Sequence, residues 1–174
     1  MVQKCGQTLL KQGSHVVYIE GFQAGGGVGM EAKYSGPDTG GKTVFLRSGI
    51  VPNAATQPRQ YFSQCNPSEL GSEASLFTVC MFRSEVFLSK IPSFREADTG
   101  LNRLYFVGKG QLPVVNLRDL DQFRAVIQNT PSVNYAWSIY GNLNIGVAGA
   151  YTLCIESDDG FVDIFICLLN YRLQ

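Results

Sequence analysis

Between Gly149 and Gly160 the chain reads GAYTLCIESDDG. Tyr151, Leu153 and Ile155 alternate with Thr152, Cys154 and Glu156, the two-residue period of a strand with one buried face. The strand runs into Ser157-Asp158-Asp159-Gly160, and Asp-Gly tolerates the positive φ that a tight hairpin turn requires. A second apolar segment, Phe161 to Leu169, follows directly. The pattern predicts a hairpin whose tip carries two adjacent carboxylates.

The rest of the composition agrees with a chain of short strands. Apolar residues make up 45% and charged residues 16%, which is globular rather than disordered. The length, 174 residues, suits one domain or two small ones. The 19 glycines, with β-branched and aromatic residues in the apolar runs, fit strands joined by tight turns better than a helical bundle. Lys+Arg and Asp+Glu stand at 14 each, so no basic excess drives phosphate-backbone binding, and no nucleic-acid partner is expected. No run approaches the roughly 18 apolar residues of a spanning helix, so a soluble chain with no transmembrane segment is expected. The opening residues MVQKCGQT lack the apolar core of a signal peptide, and no N-x-[ST] acceptor has a permitted middle residue.

Five cysteines, Cys5, Cys65, Cys80, Cys154 and Cys167, include no CxxC pair, and with a single histidine there is no zinc-type spacing. Cys80 and Cys154 lie mid-strand and read as small core residues. Cys5 and Cys65 are open to pairing, which the sequence alone does not show, so the compartment stays undecided.

Taken in order, residues 9–13 read as a short strand or turn, and His15 to Phe22 as a strand with Val17 and Ile19 on one face. A glycine-rich loop, Gly25 to Gly29, precedes a half-buried strand in which Met30, Ala32 and Tyr34 alternate with Glu31, Lys33 and Ser35. Gly36-Pro-Asp-Thr-Gly-Gly-Lys42-Thr43 matches the phosphate-loop pattern GxxxxGK[ST] letter for letter. That chemistry needs a helix to begin at the lysine. Thr43 to Ser48 is β-prone instead, so the stretch reads as a polar turn between strands, and no nucleotide is expected. Residues 51–58 look like a connector, Leu76 to Phe82 and Val86 to Leu88 like apolar strands, and Pro92 to Gly100 like a loop. Leu104 to Val107 is a short buried strand. Leu117, Leu120, Phe123, Val126 and Ile127 fall at helical spacing, with Asn116 as N-cap and Thr130-Pro131 as the stop. Trp137, Ile139, Leu143 and Ile145 share one face of the next strand, with Gly141 as a turn or bulge between them.

The last block resembles the first half of a protective-antigen-type (PA-fourteen) domain. Its pattern, G-x-Y-x-F/L-x-x-x-S-x-D-G after an aromatic near a glycine, is met by Trp137, Gly141, Leu143, Ile145, Gly149, Tyr151, Thr152, Leu153, Ser157, Asp158, Asp159, Gly160 and Ile164. The first block resembles the second half of the same domain, through Leu10, Gly13, His15, Ile19, Phe22, Gly26, Gly27, Met30, Tyr34, Gly36 and Pro37. The resemblance thus divides the chain into residues 1–50 as a back half, 51–100 as a connector of unclear fold, and 101–174 as a front half. After Ile166 the chain departs from the family pattern. It reads either as a fragment of a tandem array or as one permuted sandwich; the two halves are expected to pack together, because each leaves an apolar sheet face to cover. The expected fold is an all-β antiparallel sandwich of protective-antigen type, with one short helix near residues 117–129.

What the resemblance implies about function is a non-catalytic module, not an enzyme, that binds a glycan or glycoprotein at a cell surface or outside the cell. In adhesins of this family two adjacent aspartates hold a calcium ion that contacts sugar hydroxyls, and Asp158 and Asp159 resemble that pair. Calcium takes hard oxygen ligands, which suits carboxylates. Asp-Asp-Gly also makes a good turn without metal. The Gly25–Gly29 loop offers a backbone nest for an anion, or simply a flexible connection. His15 is read as structural, and Tyr18 and Tyr34 are open to either sugar stacking or core packing. A second reading stands beside the first: a structural or assembly subunit that contacts neighbouring protein subunits through sheet edges and loops.

Overall fold

The computed structural model describes residues 2–49, 76–84 and 104–167, with side chains up to residue 159 in the last of these segments. The strands are β1 (Val2–Leu10), β2 (Gly13–Gln23), β3 (Met30–Ser35), β4 (Val44–Phe45), β5 (Phe77–Ser84), β6 (Leu104–Leu112), β7 (Asn116–Leu117), β8 (Tyr135–Ile145), β9 (Gly149–Ser157) and β10 (Gly160–Cys167). One short helix, α1 (Leu120–Val126), lies between β7 and β8. Two antiparallel sheets pack face to face as an all-β sandwich. The first runs β1-β9-β3-β4, with β7 also on β3; the second runs β10-β2-β8-β5-β6.

Strands from the two ends of the chain alternate within both sheets. β9 lies between β1 and β3, and β2 lies between β10 and β8. The interior is filled by the alternating residues read from the sequence: Val17 and Ile19 of β2, Trp137, Ile139, Leu143 and Ile145 of β8, Tyr151, Leu153 and Ile155 of β9. β5 is buried on both faces, as its unbroken apolar run requires. Phe77, Val79 and Met81 enter the main core, while Cys80 and Phe82 join Phe22, Leu104, Ala136 and Tyr140 in a second cluster on the opposite face of the sheet.

Several expectations are corrected. The Asp-Gly turn does not make a hairpin. β9 already has both edges occupied by β1 and β3, so β10 crosses to the other sheet and pairs with β2, Ile164 opposite Ile19. Residues 9–13, read as a short strand or turn, hold the end of a longer strand and the turn after it: β1 has nine residues and is held by backbone pairing to β9, from Val2 opposite Ser157 to Leu10 opposite Gly149. Gly141 neither turns nor bulges. β8 continues straight through it, and a Cβ at Gly141 would overlap the Phe77 ring, so the glycine allows close approach of β5. The helix is shorter than residues 117–129, because Asn116 and Leu117 are strand residues paired with Glu31 and Met30. Its N-cap is Asp119, whose Oδ1 accepts from the Gln122 amide at 2.9 Å.

The cysteine reading changes as well. Cys154 is on the outer face of its sheet, not in the core, and forms a disulfide with Cys5, its direct cross-strand neighbour. Cys80 is fully buried as expected, but it too is disulfide-bonded. The suggested partner Cys65, the strand at Val86–Leu88, the connector at 51–58 and the loop at 92–100 lie outside the described residues.

At the opposite end from the Asp-Asp-Gly turn, the phosphate-loop look-alike is a tight turn. Pro37–Thr39 form one 3-10 turn, Gly40 and Gly41 take φ of 61° and 77°, and the chain enters strand β4 two residues after Lys42. No helix begins at the lysine, so the backbone donors and dipole of a phosphate site are not assembled here.

Candidate functional site at the glycine-loop end

Two stretches far apart in sequence meet at one end of the sandwich. β2 ends at Gln23 and β3 begins at Met30, so the glycine-rich residues bridge the two sheets there. Met30 pairs with Ser157, which places the end of β9 and the Asp158-Asp159 turn beside that loop. Asp159 Oδ2 accepts from the amides of Ala24 and Gly25, both at 2.8 Å. The Asp158 amide donates to the Gly29 carbonyl at 3.1 Å. The loop is therefore a backbone nest, and the anion it holds is the chain's own Asp159.

The glycines are needed locally. Gly26 has φ 91°, where a side chain would be strained. At Gly27 a Cβ would overlap the Asp158 carboxylate. The buried Gln23 amide donates to the carbonyls of Gly25 and Gly27, which fixes the loop from within. The segment before β8 closes the other side. The Asn134 amide donates to the Ala24 carbonyl at 3.2 Å, and Asn134 itself takes φ 54°. Beneath lies Tyr135, wholly buried, its ring edge-on to Phe123 at 5.9 Å. Its hydroxyl has no hydrogen-bond partner among the described residues. Burial and the nearby Asp159 carboxylate push its ionisation well above the usual tyrosine range, so it stays a neutral hydroxyl.

The rim that faces solvent is formed by Gly26, Gly27, Asp159 and Val133, all exposed. It presents the Asp159 carboxylate beside a loop whose carbonyls at Ala24, Gly25, Gly27 and Gly29 already accept bonds within the protein. Among the described residues no group of three or more His, Cys, Asp or Glu side chains is arranged to hold a metal. Asp158 and Asp159 do come together with the glycine loop. Their charge is met on Asp159 by two amide donors, a different arrangement from two carboxylates closing on one cation.

The other candidates lie elsewhere. His15 is buried near the start of β2 and bonds the Lys11 carbonyl through Nε2 at 2.7 Å. It is eight residues of strand from Gln23, about 27 Å at the strand rise, so it does not join the carboxylates. Tyr34 stacks on Tyr151 at 6.3 Å, and Tyr18 bonds Glu20 at 2.5 Å. Tyr135, Gln23 and Asn134 were not singled out by sequence; their only signal is adjacency to strand ends, which nothing in a linear reading distinguishes. Comparison with protein-family models, curated proteins and solved structures returns no match.

Proposed function

We propose that the chain is a non-catalytic binding module of protective-antigen type, whose ligand surface is the rim built from residues 24–29 and 157–160 and whose ligand is a glycan or glycoprotein. The observation that carries this reading is the Asp159 clasp. The resemblance picks out the glycine loop and the Ser-Asp-Asp-Gly turn separately, and the clasp ties the two into one rim. A sugar, with its many hydroxyl donors, complements the exposed Asp159 carboxylate. A cross-strand disulfide and a second bonded cysteine suit an oxidising compartment, in keeping with a cell-surface or secreted module. Two amides already meet the Asp159 charge, so calcium enters as a condition of the test and not as a requirement. The assembly-subunit reading is favoured by a different observation, the outer edge of β1, to which no strand pairs among the described residues.

The test is a glycan array probed with the folded chain, in calcium and in chelator, beside Asp159→Ala. The expected result is a glycan signal that falls by about tenfold or more in a variant that still melts cooperatively. A signal seen only in calcium would assign the carboxylates to a metal. A folded chain that binds no glycan under either condition overturns the reading.

A further inference from the structure

Among the described residues β1 is the last strand of its sheet, and most of its side chains are exposed. Of its nine residues only Leu10 is buried, while Val2 is 59% and Leu9 74% exposed. The Cα atoms of Cys5 and Cys154 are 4.1 Å apart, the spacing of a non-hydrogen-bonded antiparallel pair. The backbone groups of Cys5 therefore point away from β9. By the two-residue period so do those of Gln3, Gln7 and Leu9, while Lys4, Gly6 and Thr8 bond β9. Four N–H and four C=O groups thus line one open edge, with no strand paired to them among the described residues.

Sheet edges that stay single are interrupted by proline, bulges or charges. β1 has no proline, its register with β9 runs without a bulge, and its one charge is Lys4. We propose that this edge pairs with β1 of a second copy of the chain, antiparallel, about a two-fold axis through Gly6. That register is self-complementary. Val2 faces Leu10 of the second copy, Gln3 faces Leu9, Lys4 faces Thr8, and Cys5 faces Gln7. The outward-pointing residues fall into hydrogen-bonded pairs, so all of the open N–H and C=O groups are satisfied at once. Lysine meets threonine rather than lysine. The formal net charge of the chain is zero, so no long-range repulsion opposes the approach. The first sheets of the two copies become one continuous sheet.

The test is the mass of the chain in solution by light scattering over a range of concentrations, beside two variants. Gln7→Pro removes an N–H that points to the open edge and leaves the bonds to β9 in place. Leu9→Lys puts a new charge on the same edge. The expected wild-type result is a dimer. Gln7→Pro is expected to be a monomer with an unchanged cooperative melt, and Leu9→Lys to associate about tenfold or more weakly. A wild type that stays monomeric at roughly 100 μM overturns the proposal. So does a dimer that both folded variants leave intact.

Discussion

Replacing Cys5 and Cys154 together by serine opens the longest cross-link described in the chain, between residues 149 apart in sequence. Among the described residues β1 has little else to hold it. Apart from backbone pairing it buries one side chain, Leu10. In the chain-entropy account, a closed loop of about 150 residues removes about 5 kcal/mol of freedom from the unfolded state. Cys80 is bonded as well, and a second cross-link already restricts the unfolded chain. The expected loss is therefore about 3–5 kcal/mol, which for a domain of this size lowers the melting midpoint by about 6–20 °C. The assay is thermal and urea denaturation of the double variant against wild type, with amide exchange to localise the change. The first amides to lose protection are expected in β1, at Lys4, Gly6 and Thr8, whose N–H groups face β9. A midpoint shift under about 2 °C, or β1 amides that keep their wild-type protection, would refute the reasoning.

Three other perturbations test separate parts of the fold. Gly141→Ala drives a Cβ into the Phe77 ring and is expected to cost about 1–3 kcal/mol by urea denaturation, whereas a neutral result would mean that β5 and β8 are further apart than described. Tyr135→Phe removes a buried hydroxyl that has no partner among the described residues, so stability is expected to hold or to rise by up to about 1 kcal/mol; a clear loss would reveal a partner for that hydroxyl. Burial pushes the Glu31 carboxyl up, but Lys33 at 2.5 Å and Arg118 at 2.7 Å more than offset it and hold it below its ordinary 4.5. A lowered folded pKa contributes stability above the unfolded pKa that is lost as pH falls through the folded one. Glu31→Gln should thus cost about 1–2 kcal/mol at neutral pH, and its gap from wild type should close as pH falls through the lowered folded pKa. A gap that persists at low pH would show that the ion pairs are not its source.

The alternation of single residues, together with composition, was enough to establish an all-β chain. Tyr151, Leu153 and Ile155, or Met30 and Ala32, enter the interior because a strand presents every second side chain to one face, and that period survives any choice of neighbour. The β-prone run after Lys42 likewise argued against a helix beginning at the lysine, since a helix start is a local property. The carboxylates and the glycine loop were visible as separate stretches. Their union through Asp159 depends on Met30 pairing with Ser157, a contact between residues 127 apart that no local pattern encodes.

What tertiary structure alone decided is where each strand goes. Asp-Asp-Gly permits a hairpin, but the edges of β9 are taken by β1 and β3, so the chain crosses to the other sheet. β1 has no apolar alternation of its own; its nine residues are a strand because β9 offers an edge, and Cys5 finds Cys154 because the register sets them opposite. Leu117 has the spacing of a helix and the pairing of a strand, because a backbone bond to β3 outweighs a weak local propensity. Periodicity is a property of a segment and is written in its residues. Pairing is a competition among segments for the same edges, and it is settled only when all of them are present.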